Sequence, residues 1–298
     1  MRSAYPTIRH RIEFAALRSL VQVLRLFSPR GSRRLASILG HIGFAVMNHR
    51  RDVACQNIRR ANITSDETEV RRIARAAMVH FITIAISSLQ SIGGKPEKYT
   101  IIEEIDPDAL KVLQDRTKGV LLCAGHLGNW EVGLQAVART HPLLGIARRM
   151  NNPLTEDFLQ WRENANIEIT PKHDQDAQRL LRAIGEGRNL GLLFDQHANQ
   201  KRGVMVPFFG IPASTYPSPA MLHLTTKAPI CFCVCTEVSP GTYRLRIDAP
   251  FIYQRTGNRK ADTLAILTEL NRRLEQAIRL TPEQYLWGHR RWREDQTK

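Results

Sequence analysis

Two periodicities divide the chain near residue 92. Before it, apolar positions recur at intervals of three and four, the spacing of one helical face. Leu17, Leu20, Val21, Leu24 and Phe27 fall on one side of a predicted helix over 14–27, with Arg18 and Arg25 elsewhere on the wheel. Thr64-Ser65-Asp66-Glu67 is a capping-box-like start, and the helical pattern from Glu69 through Ile82, Ile84 and Ile86 runs to Gln90. Gly93-Gly94-Lys95-Pro96 is the best boundary, which sets a helical region over 1–95 against an α/β region over 96–298, expected to form one continuous structural unit.

Beyond the boundary short apolar runs alternate with helical stretches. Val120 to Ala124 is too short for a helix and too apolar for a loop, so it predicts a buried strand. Leu127, Trp130, Leu134, Val137 and Ala138 then predict a helix from Leu127 to about Thr140. Leu143 to Ala147 and Asn189 to Asp195 read as further strands, with a helix over Asp174 to Glu186 between them. Ala228 to Val238 and Tyr243 to Ile247 follow as strands, and Asp262 to Leu280 as the last helix. The expected fold is α/β, a mixed and largely parallel central sheet flanked by helices, with an N-terminal helical arm.

Charge changes the picture of that arm. The 298 residues carry a net +15, and the first 60 hold twelve arginines against Glu13 and Asp52. Nucleic acid, an anionic membrane, a phosphorylated substrate and an acidic carrier protein would each satisfy this balance. The arginines are interleaved with apolar residues. Leu35 to His49 contains no Asp, Glu, Lys or Arg, yet its 15 residues fall short of the roughly 20 needed to span a bilayer. A monotopic surface anchor is therefore expected, with arginines on anionic headgroups; the plainer reading is an amphipathic helix capping a soluble domain. No uncharged core is followed by a small-residue cleavage site, so no cleavable signal peptide is expected. Five cysteines form no even framework and fit a reducing compartment. Cys231, Cys233 and Cys235 alternate onto one strand face, and their spacing suits small buried side chains better than zinc.

Candidate chemistry sits where the Val120 strand meets its helix. Gly125-His126-Leu127-Gly128-Asn129-Trp130-Glu131 presents an imidazole and, five residues on, a carboxylate. A neutral imidazole can take a proton from a hydroxyl, and a carboxylate on its far nitrogen would fix the tautomer and stabilise the imidazolium. Glu131 could fold back to do so. Backbone amides near Leu127 and Gly128, at the positive end of the helix, are oxyanion candidates. A zinc helix is excluded, because Trp130 stands where the second histidine belongs.

This segment resembles the first motif, His followed by four residues and an acid, of the lysophospholipid acyltransferase superfamily. Its wording resembles the bacterial lipid A biosynthesis (late, or secondary) acyltransferases. Arg148, four residues before Asn152-Pro153, matches that family's spacing, and the resemblance implies substrate contact there. Asp195-Gln196, followed by Gly203-Val-Met-Val-Pro-Phe-Phe-Gly-Ile-Pro-Ala213, is a second matching block; His197 departs from it, since relatives often carry an acid. Lys201-Arg202 could cradle a phosphate and Phe208-Phe209 could wall an acyl channel, or simply pack in the core. Asp195 could position a substrate hydroxyl or order its loop. The segment from Pro282 to Arg293 mixes aromatic and basic residues, as an interfacial belt or nucleic-acid patch does, and also resembles the family's closing sequence.

The resemblance implies an O-acyltransferase at the cytoplasmic face of the inner membrane. It implies a His126–Glu131 dyad, a thioester donor on acyl carrier protein or coenzyme A, a lipid A precursor as hydroxyl acceptor, no metal or prosthetic group, and no nucleic-acid partner. Rival readings are acylation of a phosphatidylinositol mannoside or lysophospholipid, thioester or ester hydrolysis, and a non-enzymatic basic protein.

Overall fold

The computed structural model describes residues 6–91, 99–147, 151–155, 166–171, 177–199 and 202–293. The boundary glycines, the Asp174 start of the predicted helix, Arg148 and Lys201 lie outside the described residues.

The arm comprises α1 (Ile8–Arg25), α2 (Pro29–Val46), α3 (Asn48–Arg60) and α4 (Glu67–Ser91). The first begins earlier than the apolar pattern indicates, because Thr7 and His10 form a reciprocal capping box. Ser28 accepts a hydrogen bond from the Gly31 amide and Pro29 occupies the first turn, so α2 starts ahead of the charge-free stretch. Gly40 lets α2 approach α4 closely: a Cβ there would lie 2.7 Å from Val79 Cα.

The α/β part follows as β1 (Thr100–Ile105), α5 (Pro107–Gln114), β2 (Leu121–Ala124), α6 (Trp130–Ala138), β3 (Leu143–Ala147) and β4 (Ile167–Pro171). Then come α7 (Ala177–Gly185), β5 (Asn189–Leu193), β6 (Val204–Phe208), β7 (Ile211–Thr215), α8 (Ser218–Thr226), β8 (Ile230–Ser239), β9 (Thr242–Ile247) and α9 (Arg259–Leu280). Among the described residues seven strands form one sheet in the order β1-β9-β8-β2-β5-β3-β4. Every neighbouring pair is parallel except β8 with β9. The expected mixed, largely parallel sheet is the one observed.

The sheet's two faces carry separate cores. One joins Leu121, Cys123, Leu190, Leu192, Phe194 and Phe232 to the apolar faces of α4, α7, α8 and α9. The other packs Val120, Leu122, Leu143 and Cys231 against α5 and α6, with Cys235 buried and Cys233 partly buried on that face. The three cysteines share one face as their alternation requires, and burial raises all three thiols, those of Cys231 and Cys235 to about 12.

Two expectations need correction, and one block gains a structure. The Gly203–Ala213 block is an antiparallel hairpin, β6 with β7, which turns through Phe209 and Gly210, both at positive φ. Its Phe208 is fully buried against Tyr285 and Trp292, so it is core and not a channel wall. The closing segment is no exposed belt either. Trp287 and Trp292 are buried, and the run of turns after the 3-10 turn at Pro282–Gln284 ties α3 to the segment leading into α6. Asn57 donates through Nδ2 to the carbonyls of Trp287 and His289, each at 2.7 Å, while Leu286 N–H donates to the His126 carbonyl at 3.1 Å.

Candidate active site

The site lies at the carboxyl ends of two adjacent parallel strands. Register pairs Ala124 of β2 with Leu193 of β5. Two residues further along each strand stand His126 and Asp195, on the same face and side by side. Crevices beyond such strand ends are where α/β sheets bind ligands.

His126 makes its contacts accordingly. Its Nδ1 lies 2.7 Å from Asp195 Oδ1, and its own backbone N–H donates to Asp195 Oδ2 at 2.9 Å. One carboxylate thus accepts from both the ring and the main chain of a single residue, which fixes the ring's position and places the imidazole proton on Nδ1. Nε2 is left as an acceptor, and Gln196 Nε2 donates to it at 3.1 Å. The Trp130 ring packs edge-on to the imidazole, 4.7 Å between centroids. The His126 side chain keeps 12% exposure while that of Asp195 keeps 3%. Burial pushes the Asp195 carboxyl up, but the His126 charge, its ring and backbone donors and the Arg291 charge outweigh this and hold it at about 2.

The partner of Nδ1 is therefore Asp195. Glu131 lies in the first turn of α6, one turn earlier than the apolar spacing suggests, because the helix opens at Trp130. The three residues before Trp130 are otherwise engaged. Leu127 bridges to Tyr285 and Gly128 to Cys235, and Asn129 caps the helix by accepting from the Val132 amide. Gly128 has φ +65°, and a Cβ there would overlap the Cys235 carbonyl oxygen, so only glycine fits. Its amide donates to Gln284 O at 3.0 Å, which removes Gly128 from the oxyanion candidates. The Leu127 amide has no acceptor among the described residues.

Sequence reasoning missed the closing segment's part in the site. Tyr285, His289 and Arg291 surround Asp195. Arg291 is 2% exposed and donates to Ser214 O and to Thr215 Oγ1, both at 2.6 Å, with Phe208 under its guanidinium. His289 Nε2 accepts from the His197 amide at 3.0 Å, next to Gln196. Burial pushes His289 down to about 4. The available signal was the density of polar and aromatic groups in the segment, Tyr285, Trp287, His289 and Arg291, which the structure gathers through consecutive turns.

An apolar cavity of about 120 Å³ opens between α6 and the sheet, joined to the imidazole through Trp130. Trp130 and Glu131 line its near end, Leu122, Ala124 and Leu193 its floor. Phe208 and Phe209 do not line it. Arg202 is exposed in the turn before β6, where its amide donates to Asn199 O. No group of three or more His, Cys, Asp or Glu among the described residues could hold a metal ion.

The family model for the bacterial lipid A biosynthesis acyltransferase matches residues 6–294. The chain belongs to that family. It is 25% identical over 188 residues to the lipid A biosynthesis palmitoleoyltransferase of Escherichia coli K12, covering 62% of this chain and 60% of that one. The lipid A biosynthesis lauroyltransferase of the same organism is 26% identical over 194 residues, covering 64% and 61%. The phosphatidylinositol mannoside acyltransferase of Mycolicibacterium smegmatis is 27% identical over 132 residues, 43% of each chain. The match thus spans about three fifths of the lipid A relatives. Among solved structures, the 1-acyl-sn-glycerophosphate acyltransferase PlsC of Thermotoga maritima aligns over 82% of this chain and 96% of that one, at 10% identity and a TM-score of 0.37.

Proposed function

We propose that this family member transfers a fatty acyl chain from a thioester of acyl carrier protein or coenzyme A to a hydroxyl of a lipid A precursor, with His126 as general base and Asp195 as its orienting carboxylate. The observation that carries this reading is the imidazole itself: its Nδ1 lies 2.7 Å from a buried carboxylate, and Trp130, packed on its ring, lines an apolar cavity.

The acceptor hydroxyl displaces the Gln196 amide and gives its proton to Nε2 as its oxygen attacks the thioester carbonyl. Asp195 stabilises the imidazolium so formed. The tetrahedral intermediate collapses with cleavage of the C–S bond, and the imidazolium returns the proton to the leaving thiolate. The Leu127 amide is the remaining backbone candidate for the oxyanion. The cavity suits the acyl chain: an engineered apolar cavity of about 150 Å³ stays dry and takes up benzene, so this one accepts a stretch of hydrocarbon. Glu131, within its lining, is assigned to substrate positioning, as are Arg148, Lys201 and Arg202 for donor or acceptor phosphates.

The arm supports residence on a membrane surface, at the cytoplasmic face of the inner membrane. Ile8, Ile12, Leu20, Val23 and Leu26 of the first helical segment and Ile38, Leu39, Ile42 and Val46 of α2 are exposed apolar side chains among arginines. Helix α4 is long enough to cross a bilayer, with a mean hydropathy of 1.4 over its most apolar window, but half of that window is buried inside the protein. The arm is thus assigned to lie on the membrane.

Resemblance to the mannoside acyltransferase favours another glycolipid as the second reading. Incubating the full chain in anionic vesicles with acyl carrier protein or coenzyme A thioesters and each acceptor lipid, followed by mass spectrometry, separates these. An added acyl chain on the lipid A precursor supports the first reading. Free fatty acid as the sole product would establish hydrolysis instead.

A further inference from the structure

The cavity beneath α6 has an identifiable closed end. Gly145 of β3 and Gly191 of β5 are register partners, and both line it. Two adjacent strands therefore present bare backbone at one spot, where every other sheet-face neighbour in the lining carries a side chain. Leu134 of α6 faces that spot. A Cβ on Gly191 would come within 3.1 Å of Leu134 Cδ1, and one on Gly145 within 2.9 Å of Ile169 Cδ1 and 3.9 Å of Leu134 Cδ2. The room those absent side chains leave is taken up by Leu134 and Ile169, which close the cavity at this spot.

Its orientation relative to the reacting centre is equally definite. Trp130 touches His126 and lines the cavity, and Leu193, 40% exposed, lines it two residues short of Asp195 on the same strand. Gly191 stands further back along β5, with Gly145 beside it on β3. A chain whose carbonyl sits at the imidazole would run down over Leu193 and meet the glycine pair after passing Trp130.

We propose that Gly145 and Gly191, together with Leu134 across from them, set the length of the acyl chain the protein accepts. This rests on the acyl-transfer reading above. The three residues form the adjustable end of the cavity: a methyl added at Gly191 presses on Leu134 Cδ1 at 3.1 Å and drives that side chain into the cavity, which shortens it, and atoms removed from Leu134 lengthen it. One methylene in an apolar pocket is worth about 1–3 kcal/mol, or 10–200-fold in selectivity.

The test uses the full chain in vesicles with saturated coenzyme A thioesters of roughly eight to eighteen carbons. Gly191→Ala should lower kcat/KM for the longest chain the unaltered protein accepts by about 10-fold or more, relative to a chain two carbons shorter. Leu134→Ala should move the preference the other way, and the double variant should return toward the starting preference, since the new methyl fills space vacated by Leu134. A uniform loss across all lengths, or an unchanged profile in both single variants, overturns the proposal. Should the unaltered protein transfer no acyl group, stabilisation against heat by free fatty acids of the same lengths gives the answer. A Gly191→Ala shift in the best-binding length then upholds the length gauge while acyl transfer fails, and no shift removes the gauge as well.

Discussion

Replacing Asp195 by Asn preserves shape and removes charge, and the hydrogen bonds around His126 determine the cost. The carboxylate accepts two of them at once, from the His126 ring at Oδ1 and the His126 amide at Oδ2. An asparagine offers one acceptor. If its oxygen faces the main-chain N–H, its NH₂ donates to Nδ1, and the ring proton moves to Nε2, where it blocks proton uptake from a hydroxyl. If its oxygen faces the ring, two N–H groups oppose each other at the backbone. The fold holds Asp195 at about 2 against an ordinary 3.8, so the site favours its charged form by about 2 kcal/mol even after burial. That electrostatic support for the imidazolium disappears as well. Wrong tautomer and lost charge together should cost about 10²- to 10⁴-fold in rate, roughly 3–5 kcal/mol at 1.36 kcal/mol per decade.

The assay is single-turnover acyl transfer in vesicles, alongside nitrogen NMR of the His126 ring, which reports the tautomer directly. Glu131→Gln is the control. It should leave the tautomer unchanged and reduce the rate by about 10-fold or less, because Nδ1 is given to Asp195. Asp195→Asn with more than a tenth of normal activity, beside a Glu131→Gln variant reduced a hundredfold, would refute the assignment and restore Glu131 as the partner.

Other consequences are sharp enough to measure. His289 is held at about 4 against 6.5, so the unfolded chain binds its proton first as pH falls; stability from this group is full above 6.5 and drains away down to 4. At pH 5 the loss should be about 2 kcal/mol relative to pH 8, and a His289→Gln variant should flatten that part of a urea-denaturation profile. Asp195 contributes in the same direction at lower pH, its stabilisation present above 3.8 and lost toward 2. Gly128→Ala combines positive φ with overlap on the Cys235 carbonyl, so denaturation should show a loss of more than about 2 kcal/mol. Ile38→Asp with Ile42→Asp should lower partitioning onto anionic vesicles at least about 10-fold by flotation while leaving the melting temperature nearly unchanged, since both side chains are exposed.

The apolar pattern was enough to place β2, α4, β3, β5 and α9, because a buried strand or helical face is written in consecutive or spaced apolar residues. It also placed His126 at a strand end and Asp195 at another. What it lacked was the order of strands. Whether β5 lies beside β2 or three strands away is decided by crossovers and long-range packing, and only adjacency turns two strand-end residues into a pair. The His126–Glu131 spacing looked like a partnership because five residues within a helix can fold back. Yet Leu127 and Gly128 are drawn into bridges with Tyr285 and Cys235, the first about 160 residues away in sequence and the second more than 100. Those bridges delay the helix to Trp130. The closing segment was legible as chemistry but not as location: its tryptophans satisfy an interfacial pattern and a buried one equally well. Burial separates the two, and here it couples the arm to the reacting centre, since α3 holds the same stretch of chain whose Leu286 amide holds the His126 carbonyl. A surface that seats the arm is thereby within two hydrogen bonds of the imidazole, so disturbance of α3 should reach kcat before it reaches the affinity for either substrate.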